Sequence, residues 1–184
     1  MRAHKFLAPG AVGPLSGFAW PLPSGSAPGP WVEVEGPLAL CARGVHVCRS
    51  SDLAHWIHDE LWELEVAGDA LEGVDCVIVP RARLVRRIDA WSGLAARGFV
   101  DGCIEHAAAQ VGAAPAGVVH DLLDDARFMS EHGYVALGAF TAAVAVSRAD
   151  AAGTSDVVYR RERAWQSAWI AREFLATTPD RENL

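Results

Sequence analysis

Arg83-Leu84-Val85-Arg86-Arg87-Ile88-Asp89-Ala90-Trp91 is where the chain changes period. Up to Ile88, apolar residues come in short runs broken by glycine and proline, which is the pattern of strands. After Trp91 they recur every three to four residues, which is the pattern of helices. The change divides the chain into a strand-rich region, 1–90, a helical region, 91–176, and a polar tail, 177–184, expected to form one compact unit. The class implied is α+β: an N-terminal, short-stranded mixed sheet with one helix, then a C-terminal helical layer or bundle.

Upstream of that point, the stretch Asp75 to Val79 is continuously apolar after its first residue and runs into Pro80. Trp62-Glu63-Leu64-Glu65-Val66 alternates and stops at Gly68-Asp69. Gly44-Val45-His46-Val47-Cys48 also alternates, with Val45 and Val47 on one face and His46 and Cys48 on the other. Ser50-Ser51-Asp52 offers N-cap oxygens to a helix expected to run to about Leu61, with Leu53, Trp56 and Ile57 as its apolar stripe. Trp31-Val32-Glu33-Val34-Glu35, Phe18-Ala19-Trp20 and an edge strand, Lys5-Phe6-Leu7, complete the front half. Between them, residues 21–30 are rich in proline and glycine. Such a segment is neither helix nor central strand, so it reads as a surface loop and a candidate flap.

Downstream, Gly98 is expected to close a short helix and Asp101 to cap a second, running to about Val111; Gly112 and Pro115 punctuate it. Val118, Val119, Leu122, Leu123, Ala126 and Met129 trace one face of the next helix. Residues 134–149 are apolar nearly all round, as in a helix buried between neighbours. Gly153-Thr154-Ser155-Asp156 breaks the chain and caps a last helix ending near Leu175. Its Trp165 and Trp169 share a face and are expected to pack on the 134–146 helix.

Composition narrows the function classes. With 51% hydrophobic residues among 184, the chain can build a substantial core. The net charge is −7, and neither half is basic: 8 basic against 11 acidic groups in residues 1–90, and 8 against 12 in 91–184. That disfavours a nucleic-acid partner. No apolar run reaches the ~20 residues that a membrane helix needs. No secretory leader is visible, so the four cysteines read as reduced thiols and the location as cytoplasmic. Fifteen arginines against a single lysine, Lys5, with abundant alanine, imply a bacterial, high-GC origin.

Candidate chemistry is sparse. Cys41 and Cys48 bracket His46, but zinc takes about four ligands from paired knuckles and no second knuckle exists, so no metal is expected. His55, His58 and Asp59 fall opposite the apolar stripe of their helix, on its solvent side. Glu63 and Glu65 form a Glu-x-Glu pair able to share a site and separate their pKa values, and equally able to be the wet face of a strand. Arg81, Arg83, Arg86 and Arg87 read as a solvated run. His46 stands out because its strand feeds a polar turn and a helix start, a position suited to a polar ligand. No nucleophile elbow, phosphate-cradling loop or dinucleotide fingerprint is present. The working set is therefore His46 and Glu65 as catalytic residues, with Cys48, Arg49, Trp20, Trp31 and Trp62 binding a ligand in a pocket between sheet and helices.

Two resemblances follow from these motifs. Leu40 to Cys48, with Trp62 to Gly68 and Val77 to Arg86, resembles an uncharacterised bacterial and phage domain family marked by a Cys-x-x-Gly-x-His-x-Cys strand, with Val45 where the family usually has an aromatic. The likeness covers about residues 3–90 and implies architecture more than activity. More distantly, the order of a Gly-x-His strand, a Ser-Ser-Asp helix and a Glu-x-Glu strand resembles half of an ADP-ribosyltransferase-like fold. That resemblance implies NAD as cofactor, with His46 as its contact and Glu65 as the ribose-orienting carboxylate, although Glu65 comes early for that role. Three functions are thus open: a small-molecule enzyme or binder without a predicted cofactor, a non-catalytic protein-interaction module of an accessory or immunity-like kind, and an ADP-ribosyltransferase.

Overall fold

A computed structural model describes residues 1–40, 42–112, 117–150 and 154–175. Pro115, Gly153, Cys41 and the tail from Thr177 lie outside the described residues. The front half holds β1 (Arg2–Leu7), β2 (Val32–Glu33), β3 (Val45–Val47), β4 (Glu60–Ala67), β5 (Leu71–Glu72), β6 (Val77–Val79) and β7 (Arg81–Arg87). The back half holds α1 (Gly93–Val111), α2 (Val118–Glu131), α3 (Val135–Ala149) and α4 (Ser155–Ile170), with a π-helical turn, Ala171–Leu175, after α4. The class is α+β, as the change of period implies.

The strands pair antiparallel in two sheets, β1-β4-β7-β2 and β3-β6-β5. β1 is not a free edge. Its far side bridges to the residue after β3, the His4 and Cys48 amides each donating to the other's carbonyl, at 3.3 and 2.8 Å. The sheets therefore wrap one apolar interior, to which both contribute: Ala3, Leu7, Leu64 and Leu84 from one, Val45, Val47, Val77 and Val79 from the other. Gly44 enters β3 at φ +137°, and a Cβ there would stand 1.9 Å from Ile78 Cγ2, so the turn needs glycine on both counts.

The helix expected to run to Leu61 is a short 3₁₀ helix, Ser50–Trp56. Leu61 belongs to β4 instead, fully buried and opposite Phe6. The short helix survives because α4 satisfies its backbone: the Ala54 amide donates to Ser167 Oγ at 3.0 Å, and Arg163 donates to the Ala54 carbonyl. The break expected at Gly98 is also absent. α1 is continuous, capped by Ser92 Oγ accepting from the Ala95 amide at 3.3 Å, while Asp101 accepts from Ser130 Oγ on α2 at 2.6 Å.

A second core joins the sheet to the helices through Phe6, Leu53, Leu61, Ile88, Trp91, Phe99 and Ile170. Trp165 and Trp169 reach α1 as well as the shared core that α3 helps to form. Trp165 stacks on His106 with centroids 3.6 Å apart, and Trp169 meets Phe99 at 5.5 Å. Gly102 decides this, because a Cβ there would fall 1.6 Å from Trp169 Cη2. The α4 residues that reach α3 and the 3₁₀ helix are polar and buried. Gln166 donates to the Ala139 carbonyl at 2.9 Å and accepts from Arg163 at 2.8 Å. Glu162 lies 3.1 Å from His106 Nδ1.

Candidate functional site

Where β1 and β3 meet, a cavity of about 370 Å³ opens. β1 supplies Lys5 and Phe6 to its wall, and β3 with the following residue supplies His46, Val47 and Cys48. Trp56 enters from the 3₁₀ helix and Cys76 from just before β6, while Gly13-Pro14-Leu15-Ser16 forms the lip. The walls are therefore strand and loop, with Trp56 the one contribution from helix. Apolar atoms dominate the lining, and the polar groups are few and convergent, as in small-molecule sites.

The lip is held by Glu60. Its carboxylate accepts from the Gly10 amide at 3.1 Å, the Ala11 amide at 3.0 Å and the Trp62 indole N–H at 2.9 Å. Burial pushes the Glu60 carboxyl up, but the Trp62, Gly10 and Ala11 donors, with Arg87 nearby, outweigh it and leave the group below its ordinary pKa. Ala11 is held at φ +58°, an unusual value for a residue with a side chain. From there Gly13 donates to the Phe18 carbonyl at 2.8 Å, closing the turn that carries Leu15 and Ser16. The 21–30 segment is not this lip; the Gly29 amide ties it to the Leu84 carbonyl of β7 at 2.8 Å.

Lys5 is the centre of the wall. It shares the inward face of β1 with Ala3 and Leu7, opposite Trp62. Its Nζ donates to the His46 carbonyl at 2.6 Å and lies 5.8 Å from the Trp20 ring centroid. Burial pushes the amine's pKa down, with the nearby Cys48 and Cys76 sulfurs opposing. The Cys48 thiol is itself pushed up to about 12, by burial first, so at neutral pH it is not an anion and gives the ammonium no counter-charge. His46 is also shifted down, by burial and then by Lys5, against a raising contribution from the Gly44 backbone.

The residues singled out in the sequence scatter. His46 and Cys48 meet at the cavity, and Trp20 is buried behind Lys5. Arg49 does not line it: Nε donates to Asp52 at 2.6 Å, and the Nη atoms reach Glu72 at 3.2 Å and the Gly73 and Val74 carbonyls at 3.2 and 2.9 Å. That guanidinium pins the β5–β6 hairpin. Trp62 is core, bonded to Glu60. Trp31 lies against the Arg81 and Arg83 guanidiniums at 4.8 and 4.5 Å. Glu65 accepts two bonds from Arg83, at 2.8 and 2.6 Å, and Glu63 accepts from Arg86 at 2.6 Å, so the Glu-x-Glu pair is a cross-strand ion-pair ladder away from the cavity.

Lys5, Trp56 and Cys76 were not picked out in the sequence. A signal existed for Lys5: the only lysine stands at the apolar parity of its strand, between Ala3 and Leu7. Among the described residues, no cluster of three or more His, Cys, Asp or Glu could hold a metal ion, and no helix is long and apolar enough to cross a membrane. No family model matches the chain, and no curated protein or solved structure matches it either.

Proposed function

We propose that the chain binds or acts on a small molecule in the cavity between β1, β3 and the 13–16 lip. The observation that carries this reading is the convergence of Lys5, His46 and Cys48 on one apolar-walled cavity of about 370 Å³. That volume suits a molecule of modest size, and the unlike chemistry of the three groups gives it polar anchors within an apolar shell. The test is a thermal-shift survey of small organic compounds on the parent protein and on Ser16→Trp, which fills the mouth from an exposed lip position. Compounds that raise Tm in the parent and not in the variant support the reading. No saturable shift in the parent, or equal shifts in both proteins, refutes it.

A protein-interaction module is the second reading. It is favoured by Tyr134, Leu137 and Phe140, which are all exposed at the start of α3 although each is large and apolar. On that reading Ser16→Trp leaves the binding property intact, and a Leu137→Glu, Phe140→Glu double variant removes it.

A further inference from the structure

We propose that Lys5 is the reacting group of this cavity, and that the ligand class is an apolar aldehyde or ketone captured through its carbonyl carbon as an imine. The proposal rests on the small-molecule reading above and adds to it a bond and a chemical class.

Four observations converge. First, Lys5 is the only ε-amine in the chain, and it is half-buried on the inward face of β1, where the strand's alternation calls for an apolar residue. Burying an amine carries a desolvation penalty that a Met or Leu at the same position would not incur. Second, among the described residues no carboxylate pairs with it; its one hydrogen bond goes to the neutral His46 carbonyl. An ammonium kept for structure is ordinarily given a counter-ion, whereas a nucleophilic lysine is kept from one. Third, Lys5 lines a cavity whose other walls include Phe6, Val47, Pro14, Leu15 and Trp56, a surface that suits hydrocarbon and offers a carboxylate or phosphate no guanidinium. Fourth, the bond to His46 fixes the amine at 2.6 Å from a backbone oxygen, so it meets the ligand from one position and not from a swinging stem.

The direction of the Lys5 pKa fits this chemistry, since an ordinary lysine is neutral in only about one molecule in 2,500 at pH 7, and only the neutral form attacks. In the step itself the Nζ lone pair forms a bond to the carbonyl carbon, and the C=O π pair moves to oxygen. The nitrogen then gives up a proton, the oxygen leaves as water after gaining two, and a protonated imine remains. One aldehyde, one amine and one solvent proton become one iminium and one water. No oxidant, reductant or metal is consumed.

The experiment is reductive trapping. The full chain is incubated at pH 7 with benzaldehyde and sodium cyanoborohydride, whose hydride fixes any imine as a benzylamine, and is read by intact mass and peptide mapping. Glyceraldehyde serves as the polar comparison and Nα-acetyl-lysine as the free-amine reference in the same tube. The expected result is a single benzyl adduct on Lys5, formed on the order of tenfold or more faster than on the reference amine, and slower with glyceraldehyde. Lys5→Met should lose that adduct while keeping its fold by circular dichroism; Lys5→Arg should lose it too. Labelling confined to the Met1 amine, or at Lys5 no faster than on the reference, overturns the proposal. Benzaldehyde that raises Tm and is excluded by Ser16→Trp, yet leaves no adduct, overturns the imine while the cavity reading survives. Benzaldehyde that does neither overturns the proposal, and the cavity reading then stands or falls on the compound survey.

Discussion

Replacing Glu60 by alanine should release the lip of the cavity, and its cost can be worked from the three donors that the carboxylate holds. The Gly10 amide is exposed and will find water. Ala11 is fully buried and Trp62 nearly so, and both N–H groups lose their only acceptor. A buried donor left unsatisfied costs about 1–3 kcal/mol, so the two together give about 2–6 kcal/mol. For a chain of this size that is about 4–24 °C in Tm. Glu60→Gln should cost less, about 1 kcal/mol, because one amide oxygen can still serve Ala11 and Trp62 while its NH₂ faces the Gly10 donor. The pH dependence has a definite sign. The folded pKa lies below the ordinary value, so the stabilisation is complete above about pH 4.3, the unfolded value. It is lost as pH falls through the folded pKa. Thermal melts of parent and Glu60→Ala from pH 7 to 3 should therefore converge in acid. Equal melting at pH 7, or a gap that persists undiminished at pH 3, would refute the clamp.

Three further outcomes are expected. Gly102→Ala should destabilise by about 1–3 kcal/mol in chemical denaturation despite alanine's better helix propensity, because the new methyl collides with Trp169; a more stable variant would show that the contact yields freely. Glu162 is buried beside His106, and burial, the largest influence, raises its carboxyl pKa. A carboxyl with a raised folded pKa loses stability as pH rises from the unfolded towards the folded value. Glu162→Gln should therefore melt at or above the parent at pH 7 and lose that advantage below about pH 4. Burial pushes the Cys48 and Cys103 thiols up, so native protein at pH 8 should resist iodoacetamide at both, with alkylation appearing on unfolding; rapid native labelling of Cys48 would contradict its environment.

What could be read in advance was whatever depended on near neighbours in the chain. The parity of Val45 and Val47, and of Leu64 and Val66, is a two-residue rule, and both pairs are buried as that rule requires. The 3₁₀ helix was read as longer because its stability comes from Ser167 and Arg163, 113 and 109 residues from Ala54. The seat of Trp169 is the missing side chain at Gly102, a contact that local patterning within the helix does not reveal. The same limit governs the site. His46 and Cys48 were visible as one strand face, but Lys5 is brought to them by the His4–Cys48 bridge, a pairing that nothing near residue 5 announces. Arg49, Glu65, Trp31 and Trp62 have the residue types of a site, and the structure uses them as struts.

The position of β1 also sets a timetable. This strand leaves the ribosome before every segment it pairs with; Lys5 bonds forward 41 residues to His46, and Met1, just ahead of the strand, 65 to Val66. At synthesis rates of about 5–20 residues per second, it waits about 2–8 s for His46 and about 3–13 s for Val66. Throughout that interval Phe6 and Leu7 are apolar surface on an unpaired ribbon, the condition in which a nascent chain is captured by a chaperone or by another copy of itself. Slower synthesis between residues 8 and 67 lengthens that interval in proportion.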